Sequence, residues 1–350
     1  MSIDYRHISL PVIMTFLFLK YQHPTMALSL SPRHRTSSQP SLKRRKLLQL
    51  TALGAMLETS PLPAFAQLAP SNDLGISALA ENLFLLSGAG TNIVALNSPE
   101  GLLLTDGGSA QFSEQLFDEA STLSTTGTIK TLINTNWRHE HSALNEIVSS
   151  ALTEIIAHEN TRLWMSNTFT VDWENRHYTP RPEHALPTRT FYETDAIETG
   201  LETVELGVFP RAHTDGDIYV FFRSANVLVV SDLLAVNSWP IIDYSTGGWI
   251  GGMLDASEAI LALADEQTLI IPASGEPQQR SAVIAQRDMC RNILAKVEIA
   301  YSEAKSFEEF LATNPAQAYS AERGDPELFL LQVWKGLVNH IRYTRDVYFV

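Results

Sequence analysis

The sequence predicts one layered α/β domain running from about residue 75 to the C-terminus. Three observations predict it. After Gln67, apolar runs of strand length alternate with stretches of helical periodicity. No internal repeat or low-complexity linker interrupts them. Polar residues capable of chemistry fall directly after several of the runs, where layered α/β folds gather their sites.

Taken in order, residues 83–86, 92–96 and 101–105 read as consecutive strands separated by Gly and Asn/Pro turns. An amphipathic helix is expected over 112–123, followed by strands over 129–135 and 154–157 with a polar helix or loop between them. Residues 165–187 are rich in Pro and aromatic residues and lack periodicity, so they are expected to form a long surface insertion of the kind that covers a site. In the second half, 217–222 and 227–230 read as a hairpin around Arg223-Ser224-Ala225-Asn226, 254–265 as a helix and 268–273 as a strand. Val283, Cys290, Leu294, Val297 and Tyr301 recur at helical spacing within 281–304, and Leu330, Trp334, Leu337 and Ile341 mark a last helix. Cys290 lies on the apolar stripe and reads as a small buried hydrophobe.

Composition narrows the classes. With 45% hydrophobic and 18% charged residues in 350, the chain can bury a large core. A single cysteine excludes an internal disulfide and any cysteine-cluster zinc module. The net charge of −14 argues against a dedicated nucleic-acid binder, which needs surplus cations to neutralise phosphates.

That charge is uneven. Residues 1–66 hold eight Lys/Arg against Asp4 and Glu58, a surplus of six, so the remainder carries −20. Lys43-Arg44-Arg45-Lys46, an apolar run over 47–57 and Ala64-Phe65-Ala66 follow the basic, apolar and small-residue order of an export signal, with cleavage expected after Ala66. Arg44-Arg45-Lys46-Leu47-Leu48 resembles a twin-arginine signal but lacks the usual preceding Ser or Thr, so Sec export stays open. The apolar run is shorter than the ~20 residues that span a bilayer, and no membrane span is expected after cleavage. The expected organisation is a non-native or disordered extension over 1–40, with Met26 as a candidate start, a signal over 41–66 and an exported, periplasmic domain over 67–350.

The strand ends carry the candidate site. Asn136-Trp137-Arg138-His139-Glu140-His141 follows the strand over 129–135, Asp232 follows 227–230, Ser274 follows 268–273, and His213 precedes the hairpin. His139, Glu140, His141, His213 and Asp232 together suggest a metal site of hard and borderline ligands, or an acid/base cluster.

At these residues the chain resembles the metallo-β-lactamase superfamily, over residues 83–277. Asp106-Gly107-Gly108 is similar to the family's structural Asp turn, and Asn136 to His141 occupies the place of its H-x-H-x-D-H motif. Ala157-His158-Glu159-Asn160 is similar to a strand-to-helix junction in several branches. Ala212-His213-Thr214-Asp215-Gly216-Asp217 matches the segment of the next His ligand, Ser231-Asp232 the bridging Asp, and Pro272-Ala273-Ser274-Gly275 the P-G-H-G segment. The resemblance implies a four-layer αββα sandwich, two mixed sheets with helices outside.

It also exposes substituted ligands. In the family, one metal takes the first two motif histidines and the histidine matched by His213; the other takes the motif Asp, the last motif His and the P-G-H-G histidine; the bridging Asp joins them. Here Asn136 and Arg138 replace the first two histidines, Glu140 replaces the Asp and Ser274 the last His, while His141, His213 and Asp232 are kept. Asn136 and Ser274 are weak ligands, and Arg138 places a permanent cation where the first metal belongs.

Two functions follow. One is an exported metallo-hydrolase with an at most mononuclear site of Glu140, His141, His213 and Asp232 holding Zn, Mn or Fe. Metal-activated water would cleave an ester, lactone or amide, with Asp232, Glu140 and His141 catalytic. The other is a catalytically inactive binding or regulatory protein without a cofactor, in which Arg138 replaces the metal and pairs with Asp232 or Glu140. Whether the chain is an enzyme is left open by the four substitutions. Either reading expects a small-molecule partner and no nucleic acid, and β-lactam hydrolysis itself is not expected. His139 is a possible alternative ligand. His158 is expected to cap the following helix or support the site, while His177, His184 and His340 are expected in solvent and Trp137, Trp239 and Trp249 in packing.

Overall fold

Apolar runs too short for helices pair into two mixed sheets. The computed structural model describes residues 74–148, 152–209 and 211–348. All of them fall in the second of the chain's two units, Met1–Gln67 and Leu68–Val350. The expected extension and signal therefore lie outside the described residues.

The first sheet begins with β1 (Gly75–Ala80), β2 (Leu83–Ser87), β3 (Ile93–Ser98) and β4 (Gly101–Thr105), joined antiparallel. It continues in parallel with β5 (Ile129–Ile133) and β6 (Glu154–His158). A separate hairpin of β7 (Phe169–Val171) and β8 (Arg176–Tyr178) follows, before β9 (Arg189–Phe191) closes the sheet beside β6. The second sheet runs β10 (Thr194–Glu198), β11 (Thr203–Val208), β12 (Ile218–Phe222), β13 (Val227–Ser231) and β14 (Leu269–Pro272), antiparallel except for the parallel β13–β14 pair.

Burial defines four layers. Between the sheets, Leu85, Val94, Leu103, Ile133 and Ile156 of the first meet Leu206, Val220, Phe222, Val229 and Ile271 of the second. Outside the first sheet, α1 (Ser113–Leu123) buries Leu116 and Ala120 against Ile93, Leu102, Leu104 and Leu132. The short α2 (His139–Ser142) and α3 (Glu159–Met165) follow β5 and β6. Outside the second sheet, Phe221, Leu228, Val230 and Ile270 are covered by α4 (Ile250–Leu263), α5 (Arg280–Ser302) and α8 (Glu327–Tyr348), with α6 (Phe307–Leu311) and α7 (Gln317–Arg323) between the last two. This is the layered α/β domain that the strand and helix order implied, and the αββα sandwich that the resemblance implied. β4 (Gly-Leu-Leu-Leu-Thr) and β13 (Val-Leu-Val-Val-Ser) are buried at every position, because each is covered on both faces and a strand so placed is apolar throughout.

Three expectations are revised. The segment over 165–187 is more than a surface insertion, because Met165, Val171, Tyr178 and Leu186 are buried with Trp137 in a small core of their own. The helix expected from residue 254 begins at Ile250: Gly251 and Gly252 are buried inside it, and a Cβ at Gly251 would lie 2.1 Å from the Trp249 ring. His340 is half-buried and stacks on Trp249 with ring centroids 3.6 Å apart. Trp239 packs on Phe329, as expected of a core indole. Cys290 is fully buried in the layer of α4, α5 and α8, where burial pushes its thiol up to about 12. Among the described residues no helix is long and apolar enough to cross a membrane.

Candidate functional site

The polar residues converge at the C-terminal ends of β4, β5 and β13, where parallel neighbours let loops diverge from a fixed origin. Asp106 ends β4 in the left-handed region at φ 65, and a Cβ at Gly107 beyond it would come within 2.6 Å of Leu144, so the turn packs directly under the motif. The sheets are tied together there: Thr135 Oγ1 and Ser231 Oγ lie 2.9 Å apart, and Ile218 N donates to Thr135 O at 3.0 Å.

Asp232 is the hub. Its Oδ2 accepts from Asn136 Nδ2 at 2.9 Å and from His141 Nε2 at 2.8 Å, and it faces His213 Nε2 at 3.5 Å. Each of these groups is held from behind. Arg138 N donates to Asn136 Oδ1 at 3.0 Å, which turns the amide nitrogen toward Asp232. His141 Nδ1 donates to Asp106 Oδ2 at 2.8 Å, and His213 Nδ1 to Ile241 O at 2.9 Å. Asp106 in turn accepts from Thr135 N and Thr135 Oγ1, both at 2.7 Å. His213 Nε2, wholly buried, has no hydrogen-bond partner.

Electrostatics follow from this geometry. Burial opposes charge on His141, yet Asp232 and Asp106 on its two nitrogens hold it well above its ordinary value. Burial likewise opposes the Asp232 carboxylate, but His141, His213 and Arg138 hold it well below its ordinary range. His141 thus stands between the Asp232 and Asp106 side chains, which favour its charged form.

Arg138 does not pair with Asp232. Its Nη2 donates to Glu174 Oε1 on the β7–β8 turn, its Nε lies 3.7 Å from Glu140 Oε2, and its Nη1 3.9 Å from Asp243 Oδ2. The guanidinium also lies over the Trp137 and Trp173 rings, 5.4 and 5.3 Å from their centroids. Tyr178 Oη donates to Glu174 Oε2 at 2.6 Å, and Trp173 Nε1 to Asp243 Oδ1 at 2.9 Å.

The structure therefore gathers His141, His213 and Asp232 with Asn136 and separates the other candidates from them. Glu140 turns to Arg138 and to Arg176, 3.8 Å away. His139 lies against the Tyr178 ring at 5.1 Å, and burial with Arg181 and Arg176 pushes it down to about 4. Ser274 is exposed on the loop after β14. His158 caps α3 by accepting from Asn160 N at 3.0 Å. Four residues that the sequence did not single out complete the site: Thr135, Trp173, Glu174 and Asp243. Only the Pro and aromatic composition of 165–187 signalled that part of the site comes from there.

A metal of the kind the fold implies does not fit this donor set. Among the described residues no three His, Cys, Asp or Glu side chains are disposed to hold a metal ion. At the family's first metal position His213 stands with an amide donor and a guanidinium, and at the second, Glu140 and Ser274 are directed elsewhere. Asp232 Oδ2, the oxygen that faces His213, is already engaged by two donors.

The class these features define is the metallo-β-lactamase fold, and the chain has that fold. It is similar to a metallo-β-lactamase from Pontibacter korlensis, with a TM-score of 0.51 and 15% identity over 63% of this chain and 100% of that one. It is also similar to the stereoselective inverting sec-alkylsulfatase Pisa1 from Pseudomonas sp., with a TM-score of 0.56 and 12% identity over 75% of this chain and 50% of that one. At such identities the likeness is one of fold. No protein-family model matches the sequence, and no curated protein does.

Proposed function

We propose that this chain is an exported metallo-β-lactamase-fold protein that binds a small molecule in a binding or regulatory role, its centre held by its own side chains in place of metals. The observation that carries this reading is the engagement of Asp232 Oδ2, which faces His213, by two of the protein's own donors, the Asn136 amide and the His141 imidazolium. Charge balance agrees, since the two buried cations His141 and Arg138 neutralise carboxylates that a metal pair would otherwise neutralise. The basic, apolar and Ala-Phe-Ala leader supports export, by the twin-arginine or the Sec route, to the periplasm.

The hydrolase reading keeps one observation in its favour. His213 Nε2 is buried, unpartnered and aimed at Asp232, so one imidazole nitrogen stays free to bind a single Zn, Mn or Fe ion. Elemental analysis and an ester and lactone hydrolysis panel decide between the two. Metal well below one per chain after reconstitution, with no turnover, is expected. Tight metal together with chelator-sensitive turnover would overturn the binding reading. Restoring imidazoles with Asn136→His and Arg138→His is expected to raise metal content.

A further inference from the structure

The hairpin turn over the site holds Arg138 in an incomplete way. β7 and β8 are three residues each and join neither large sheet. Such a hairpin is marginal by itself and depends on what it packs against. Its base is anchored: Val171 and Tyr178 are buried, and Trp137 meets Phe169 and Tyr178 edge-on, each at 4.9 Å. Its tip, Asp172–Glu174 followed by Asn175 in the left-handed region, has Asp172 and Asn175 exposed. Two polar contacts hold the tip: Glu174 on Arg138, and Trp173 on Asp243.

A guanidinium offers two parallel donors that match the two oxygens of one carboxylate. Glu174 uses only one of them. Its Oε1 takes Arg138 Nη2, while its Oε2 is turned to the Tyr178 hydroxyl. Arg138 Nη1 is left without a hydrogen-bond partner in a residue only 7% exposed. Asp243 Oδ2, 3.9 Å from Nη1, already accepts from Thr246 Oγ1 at 2.8 Å. A buried, unpaired donor on a cation is costly, and a second carboxylate oxygen placed between Nη1 and Nη2 relieves that cost.

We propose that Arg138 is the anion-recognition residue of a small-molecule carboxylate site, and that Glu174 is its resident occupant. The ligand carboxylate takes both Nη donors, displaces Glu174 and swings the hairpin tip outward. Exchanging one carboxylate for another leaves the net charge beside Arg138 unchanged. The half-buried indole of Trp173, beside the guanidinium, suits a carboxylate attached to a flat apolar group. This inference rests on the small-molecule binding reading and names the ligand class for the same site.

Benzoate is the probe, titrated into the chelator-treated full chain. Tryptophan fluorescence reads binding, and hydrogen exchange over residues 172–175 reads opening of the tip. Glu174→Gln removes the competitor and is expected to bind benzoate at least tenfold more tightly than wild type. Arg138→Gln is expected to abolish binding, and neutral benzamide to be ignored by every variant. Should Arg138→Gln not fold, Arg138→Lys keeps the charge without the fork and is expected to bind at least tenfold more weakly. The proposal is overturned by equal affinity in wild type and Glu174→Gln, by no binding in either, or by affinity that survives the loss of the Arg138 fork. Metal content and turnover measured on the same samples separate the two readings. Tight metal with turnover removes the binding reading whatever benzoate does; a metal-free, inactive chain that ignores benzoate removes the carboxylate site alone.

Discussion

Two charged side chains share the site and are held in opposite ways. Asp232 accepts two hydrogen bonds on one oxygen, from groups that are themselves fixed from behind by Asp106 and the backbone of Arg138. Arg138 is as deeply placed, yet it has one hydrogen-bonded carboxylate, supplied by a turn outside both sheets, and one donor left over. The first arrangement grows from strand ends and belongs to the framework. The second is added by an insertion and is exchangeable. A rigid half beside an exchangeable half is what a ligand-responsive site requires, whereas a dinuclear metal centre needs both halves rigid.

The sharpest way to break this contrast is to remove the framework side. Asp106→Ala leaves the His141 cation with one carboxylate in place of two and orphans the buried Thr135 N and His141 Nδ1 donors at about 1–3 kcal/mol each, so it is expected to cost about 3–5 kcal/mol in urea denaturation. Asp232→Asn is expected to cost less, about 1–3 kcal/mol, since 19% of its side chain is exposed and Asp106 still holds His141.

The pH profile carries the same signature. The folded value of His141 is raised, so its stabilisation is complete below its ordinary 6.5 and is lost as pH rises through the raised value. The folded value of Asp232 is lowered, so its stabilisation is present above its ordinary 3.8 and is lost as acid carries the pH through the lowered value. The wild-type urea midpoint should be flat between those ordinary values and fall on the alkaline side, and in Asp232→Asn the alkaline fall should be smaller and end at lower pH.

Glu174→Gln tests the exchangeable half and is expected to cost only about 1 kcal/mol. A loss as large as that of Asp106→Ala would make the turn part of the framework and erase the contrast. The smallest effect is expected at His139. Pushed down to about 4, it should show no titration by NMR between pH 5 and 8, and His139→Asn should leave metal content and stability within about 0.5 kcal/mol of wild type.

The framework half was legible in the sequence because it obeys local rules. Strands β4 and β13 are apolar up to their buried last residues, Thr105 and Ser231, and Asn136, His141 and Asp232 lie in the loops that follow β5 and β13. The added half was not. Glu174 meets Arg138 across 36 residues of chain, from a segment without periodicity, and no spacing rule connects the two. The β10–β11 hairpin escaped for a related reason: β10 (Thr-Asp-Ala-Ile-Glu) is a half-exposed edge strand whose polar face reads as loop. Glu140 was legible as a motif position and as a partner of Arg138, but its second partner, Arg176, was not, because Arg176 comes from the same aperiodic insertion.

The buried thiol in the outer helical layer gives the molecule a clock. With its proton held up to about 12 and no exposed surface, Cys290 presents no thiolate to an alkylating reagent while α4, α5 and α8 remain packed. As it is the chain's single cysteine, every modification event times one opening of that layer. Comparing that rate with and without a bound carboxylate asks whether a ligand held by Arg138, on the far side of the second sheet's loops, is felt by the helices that close the fold.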